Sequence, residues 1–111
     1  MYLKDIVKEF NLEPIAGYKN EDKNISGAYT SDLLSDVIAN SKKENVWVTL
    51  QLHVNVIAVA SLKELSAIII VLNKDIDQDT IEKADKENIP IFKTPLTAYE
   101  ISGKLYEYGV R

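Results

Sequence analysis

Residues 67–72 read AIIIVL, an unbroken apolar run dominated by β-branched side chains. A strand with one wet face alternates apolar and polar residues. A continuous run of this length predicts a strand covered on both faces, which is the environment of a central strand in a parallel sheet. Such a strand needs parallel neighbours and helices above and below it, so the rest of the chain must supply β-α units.

The flanking sequence supplies them. Ile25–Tyr29 predicts a strand, and Thr30 or Ser31 can cap a helix running to about Asn40 with Leu33, Leu34, Val37 and Ile38 as its stripe. Val46–Leu52 predicts a strand with Val46, Val48, Leu50 and Leu52 on one side and Trp47, Thr49 and Gln51 on the other. Asn55 can cap the segment VIAVASLKEL, which is apolar almost all round and predicts a buried helix. After the central run, Asp77 or Asp79 caps a helix to about Glu87, and Pro90–Lys93 predicts a short strand. Thr97 and Glu100 have capping-box spacing before a last helix that buries Ile101, Leu105 and Tyr108 and stops at Gly109. Ahead of these units lie an amphipathic helix over Tyr2–Phe10 and a strand over Leu12–Ala16, limited by Pro14 to an edge. The expected fold is α/β: a mainly parallel sheet with β-α repeats, as one domain over residues 1–111.

Several function classes are disfavoured by composition. There is no cysteine, so disulfides, thiolate metal sites and cysteine nucleophiles are excluded, and a reducing cytoplasm is the expected compartment. The net charge of −4 is spread over both signs with no basic patch, so nucleic acid is not an expected partner. Charges interrupt the N-terminal segment MYLKDIVKEF, and the apolar runs fall far short of the ~20 residues a bilayer demands, so no membrane is expected.

Two junctions hold the candidate polar groups. In SGAYTSD, Gly27 gives backbone freedom while Ser26, Thr30 and Ser31 add hydroxyls beside a helix start, where amides and dipole can receive an anion. The same residues are also an ordinary turn and N-cap, and the spacing is not that of a P-loop. Asp32 and Asp36, four apart, share a helix face and either hold a cation or polar ligand or simply favour the helix start and water. In QLHVN, Gln51, His53 and Asn55 alternate and fall on one side of an extended chain. His53 is the only histidine, so no histidine-rich metal site can form; it either contacts a ligand or is hydrogen-bonded in place. No nucleophile with a base, no metal set and no cofactor fingerprint is present. Tyr99, Tyr106 and Tyr108 on the last helix do not form a single stripe, so some face water or another chain.

The stretch DKNISGAYTSDLLSDVIAN resembles the signature region of the DRTGG domain. VWVTLQLHVNVIAVASL, AIIIVL and IPIFKTPLTAYEISGKLYEYG follow that family in order and spacing, so the resemblance covers roughly Tyr2 to Tyr108. Asp22-Lys23 stands where the family has Asp-Arg, and Ser26-Gly27-Ala28 where it has Thr-Gly-Gly. The resemblance implies a fold like the N-terminal domains of the Mur ligases E and F and of HPr kinase/phosphorylase. It also implies a regulatory or association role, as in the domain's occurrence within CBS-domain pyrophosphatases and some phosphotransacetylases. The kinase activity of HPr kinase belongs to a separate P-loop domain. The expected partners are a second copy of the chain, a partner protein or a small anionic ligand such as a nucleotide or phosphorylated metabolite, with no cofactor.

Overall fold

The computed structural model describes residues 1–111. Its centre is the apolar run. Ile68, Ile69 and Ile70 are fully buried in strand β4 (Ala67–Ile70). Each such side chain contributes about 1.5–3 kcal/mol by leaving water. On one side β4 pairs in parallel with β3 (Asn45–Thr49), which pairs in parallel with β2 (Gly27–Thr30). On the other it pairs in parallel with β5 (Ile91–Lys93), against which β1 (Glu13–Ala16) lies antiparallel. The sheet order is β1-β5-β4-β3-β2. Pro14 sits on an edge strand, with a bulge between Pro14 and Ala16, where its missing N–H costs the ladder nothing.

Helices cover both faces. α2 (Leu34–Asn40), α3 (Asn55–Leu62) and α4 (Gln78–Glu87) complete the crossovers on one face, where Val37, Ile57, Ala60 and Ala84 pack against Trp47, Ile68, Ile70 and Ile91. α1 (Leu3–Glu9) and α5 (Ala98–Tyr108) cover the other, placing Leu3, Ile6, Ile101 and Leu105 over Val46, Val48, Ile69 and Phe92. No helix is long and apolar enough to cross a membrane.

The element order agrees with the periodicity, and the differences sit at the element ends. β3 stops at Thr49, so Leu52 lies beyond the ladder and packs with Trp47, on the face opposite Val46 and Val48. α2 begins at Leu34 with Leu33 in the cap position, not at Thr30 or Ser31, because β2 continues through Thr30. Asp77 occupies the cap position of α4 but makes no side-chain cap bond. α3 is buried along Val56, Ile57, Val59 and Ala60 only, while Leu62 is 68% exposed. In α5 the Thr97–Glu100 capping box forms, and Gly109 ends the helix at φ 113°. Tyr108 is 41% exposed rather than buried, its ring edge-on to Phe10 of the α1 C-cap at 5.4 Å.

Candidate functional site

The loops after β2, β3, β4 and β5 gather at the carboxyl edge of the sheet, where open α/β sheets bind ligands. Thr30, Ser31 and Asp32 are there, together with Gln51, His53 and Asn55. Ser26 and Gly27 are not. Gly27–Thr30 is a strand rather than a turn, so Ser26 and Ser31 are separated by roughly 16 Å at about 3.3 Å per residue. The proposed single anion cradle from Ser26 to Asp32 is therefore split between opposite edges of the sheet.

At the amino edge, Ser26 and Gly27 have structural roles. The Ser26 hydroxyl donates to the Lys43 carbonyl at 2.6 Å and accepts from the Asn45 amide at 3.1 Å. Gly27 is buried, and a Cβ there would lie 2.7 Å from the carbonyl oxygen of Arg111. Glycine is needed at this position for close approach of the C-terminal backbone. Asp22 pairs with Lys4 at 2.8 Å, an exposed bridge whose hydrogen bond and charge raise the lysine pKa.

At the carboxyl edge, Asp32 ties two strand ends together. Its Oδ1 accepts the Thr49 hydroxyl at 2.9 Å and the Leu50 N–H at 2.7 Å. Its carbonyl accepts the Gln51 side-chain amide at 2.8 Å, and the neighbouring Ser31 carbonyl accepts the buried Trp47 indole N–H at 2.8 Å. Ser31 Oγ accepts the Leu33 N–H at 3.1 Å. Since the helix begins only at Leu34, Asp32 and Asp36 do not share a helical face. Asp36 instead accepts the Tyr29 hydroxyl at 2.7 Å and the Asn40 amide at 2.8 Å. Hydrogen bonding from Ser31, Tyr29 and Asn40 holds its carboxyl below the usual range, and the same contact raises the Tyr29 phenol.

Gln51, His53 and Asn55 do not line one extended face, because the chain turns at His53 into α3. His53 is exposed, and its Nδ1 accepts the Asn55 N–H at 3.2 Å, so the imidazole supplies the cap expected of Asn55. Thr30 bonds its hydroxyl to that of Ser102 on α5 at 2.7 Å. Thr49 is the site residue that sequence reasoning passed over. Its signal was a hydroxyl inside an otherwise apolar strand, which needs a partner when buried. None of the five main clefts is lined by Asp32 or His53. One cleft of about 310 Å³ does open at β2, between Ala28, Tyr29, Asn40, Lys42 and Arg111.

On α5, Tyr99 and Tyr106 are seven residues apart and share a stripe with Ser102 and Gly103, whereas Tyr108 turns toward α1. Tyr99 is 91% and Tyr106 61% exposed, and Arg111 stacks over the Tyr106 ring at 4.7 Å.

No family model matches the chain, and no curated protein matches it. A solved structure does. The chain is similar to the CBS and DRTGG domains of the regulatory region of Clostridium perfringens pyrophosphatase, complexed with the activator diadenosine tetraphosphate. The TM-score is 0.73 at 14% identity, over 92% of this chain and 44% of that one. The fold is shared. The chain spans less than half the length of that neighbour.

Proposed function

We propose that residues 1–111 form one DRTGG-type module with a non-catalytic, regulatory role exerted by association with a second copy and with a partner protein. The observation that carries this reading is the tyrosine stripe on α5, which lies in water beside a sheet whose polar loop groups already bond one another. Large aromatic side chains left outside the core are the residues interfaces favour. The order of DRTGG-like segments in the sequence and the shared fold support the family assignment. Catalysis is disfavoured because His53, Asp32 and Asp36 each bond a different group and converge on no common atom. Equilibrium sedimentation between 10 and about 200 μM tests the reading. A dimer is expected, and a monomer throughout that range rejects self-association.

The neighbour's bound dinucleotide favours a second reading, in which the module senses a nucleotide or another small phosphorylated ligand. Thr30, Ser31, Asp32, His53 and Asn55 remain its candidate contacts at the carboxyl edge, while Ser26 and Gly27 no longer belong to that set. A thermal-shift series with diadenosine tetraphosphate, mononucleotides and sugar phosphates decides it. Ligand at 100 times its dissociation constant adds about 2.7 kcal/mol. No shift across the series eliminates sensing.

A further inference from the structure

The two edges of the sheet are built differently. At the β1 edge stand Glu13, Pro14 and a bulge, three devices that discourage pairing with another strand. The β2 edge reads Gly-Ala-Tyr-Thr, with no charge, no proline and no bulge in its register with β3. The Ser31 N–H bonds the Val48 carbonyl, and Tyr29 sits opposite Trp47. A parallel ladder engages alternate residues, so Gly27, Tyr29 and Ser31 bond β3 while Ala28 and Thr30 direct their N–H and C=O outward. Ser102 of α5 touches Thr30, which places the Tyr99–Gly103–Tyr106 stripe along this same edge.

We infer that the β2 edge is the self-association surface, where β2 pairs antiparallel with β2 of a second copy across a two-fold axis at Tyr29. The pairing presupposes the self-association proposed above and says where it occurs. Ala28 and Thr30 of one copy then exchange both backbone bonds with Thr30 and Ala28 of the other, making four in all. Charge is complementary in that direction. Lys42 and Arg111 lie at the start of β2 and Asp32 just past its end, so antiparallel pairing brings the cationic end of each copy toward the acidic end of the other, with the Asp32 carboxylate itself turned inward to Thr49 and Leu50. The exposed aromatic area is concentrated on the same side. Tyr99 and Tyr106, at 91% and 61% exposed, offer roughly 300 Å² per copy on the scale of a buried tyrosine. Those two side chains alone reach about half of the roughly 600 Å² per partner at which specific interfaces begin. Two such sheets would join into one of ten strands with the paired α5 helices on a single face.

The chain contains no cysteine, so a single introduced thiol reports only contacts between copies. Residues facing each other at the non-hydrogen-bonded position have Cα atoms about 4.5 Å apart, within disulfide reach. Tyr29→Cys is expected to form a disulfide-linked dimer under mild oxidation at about 100 μM, and Glu13→Cys on the other edge is not. Tyr99→Glu, on a side chain the fold does not use, is expected to weaken the wild-type dimer at least tenfold in sedimentation. A wild-type dimer that persists in Tyr99→Glu, with no cross-link through Tyr29→Cys, overturns the edge-pairing surface and leaves self-association standing. A monomeric wild type overturns both.

Discussion

Replacing Asp32 by alanine separates a structural clamp from a ligand contact. The carboxylate accepts two internal hydrogen bonds, one from a main-chain N–H and one from a buried threonine. Bonds to a charged acceptor contribute about 1.5–3 kcal/mol when sheltered. Asp32 is exposed and water can replace part of each, so about 1 kcal/mol per bond is the appropriate scale. The expected loss is about 2 kcal/mol, or roughly 8 °C in Tm for a domain of this length. Asp32→Asn keeps a carbonyl oxygen in the same place and should lose less than half as much. Trp47 is the only tryptophan, fully buried, and donates to the Ser31 carbonyl, so its fluorescence follows the same loop during urea unfolding. If Asp32→Ala unfolds within about 0.5 kcal/mol of the wild type, the clamp is not stabilising. The carboxylate would then be free to contact a ligand.

Two glycines should respond to alanine with opposite signs. Gly17 has φ 69° and a Cβ there collides with the Ile89 backbone, so Gly17→Ala should cost about 2–4 kcal/mol in urea unfolding. Gly103 lies inside α5 with nothing within 4 Å, and Gly103→Ala should gain up to about 1 kcal/mol; equal effects at the two sites would contradict both accounts. The Asp36 carboxyl is held below its ordinary value of 3.8, so its bonds stabilise fully above that pH and are lost as the pH falls through the folded value. Tyr29→Phe should move the Asp36 titration upward in a carboxyl NMR experiment, and an unchanged titration would mean that bond holds nothing. Thr97→Ala removes the acceptor of the Glu100 N–H and should cost about 1 kcal/mol of thermal stability; the Glu100 pKa, lowered first by the Thr97 backbone N–H and second by its hydroxyl, should rise only in part, because alanine keeps the backbone donor.

The fold was legible because burial on two faces leaves a mark no loop can imitate. AIIIVL marked the middle of the sheet, and the capping box at Thr97 marked the last helix to the residue. The start of α2 was misplaced because Ser, Thr and Asp cap helices so often that three of them in a row suggest one. Here those groups serve other bonds, with Asp32 reaching Thr49 and Leu50 across the strand ends. His53 as the support for the start of α3 was equally hidden, since imidazole is uncommon in that role and Asn55 stood two residues on. That the three tyrosines of α5 do not form one stripe, and that some face water, was legible in the sequence, and the structure agrees. At 100° per residue, positions 99 and 106 nearly eclipse while 108 turns away.

Gly27 stands in the stretch that resembles the DRTGG signature, and its placement decides what that stretch can do. A glycine in a loop between strand and helix invites a phosphate; a glycine that begins a strand invites another backbone. Gly27 is of the second kind, because the Arg111 carbonyl occupies the space where its Cβ would stand. The C-terminal residue is thereby fixed beside β2, where its guanidinium stacks on Tyr106 and its backbone borders the open edge. Gly27, the β2 edge and the tyrosine stripe thus lie next to one another, with the cleft between Tyr29, Lys42 and Arg111 opening beside them. Gly27→Ala should therefore loosen the C-terminus and the α5 end first, seen as faster amide exchange at Val110 and Arg111. Exchange that quickened instead at Thr30–Leu33 would tie Gly27 to the carboxyl edge and favour ligand sensing.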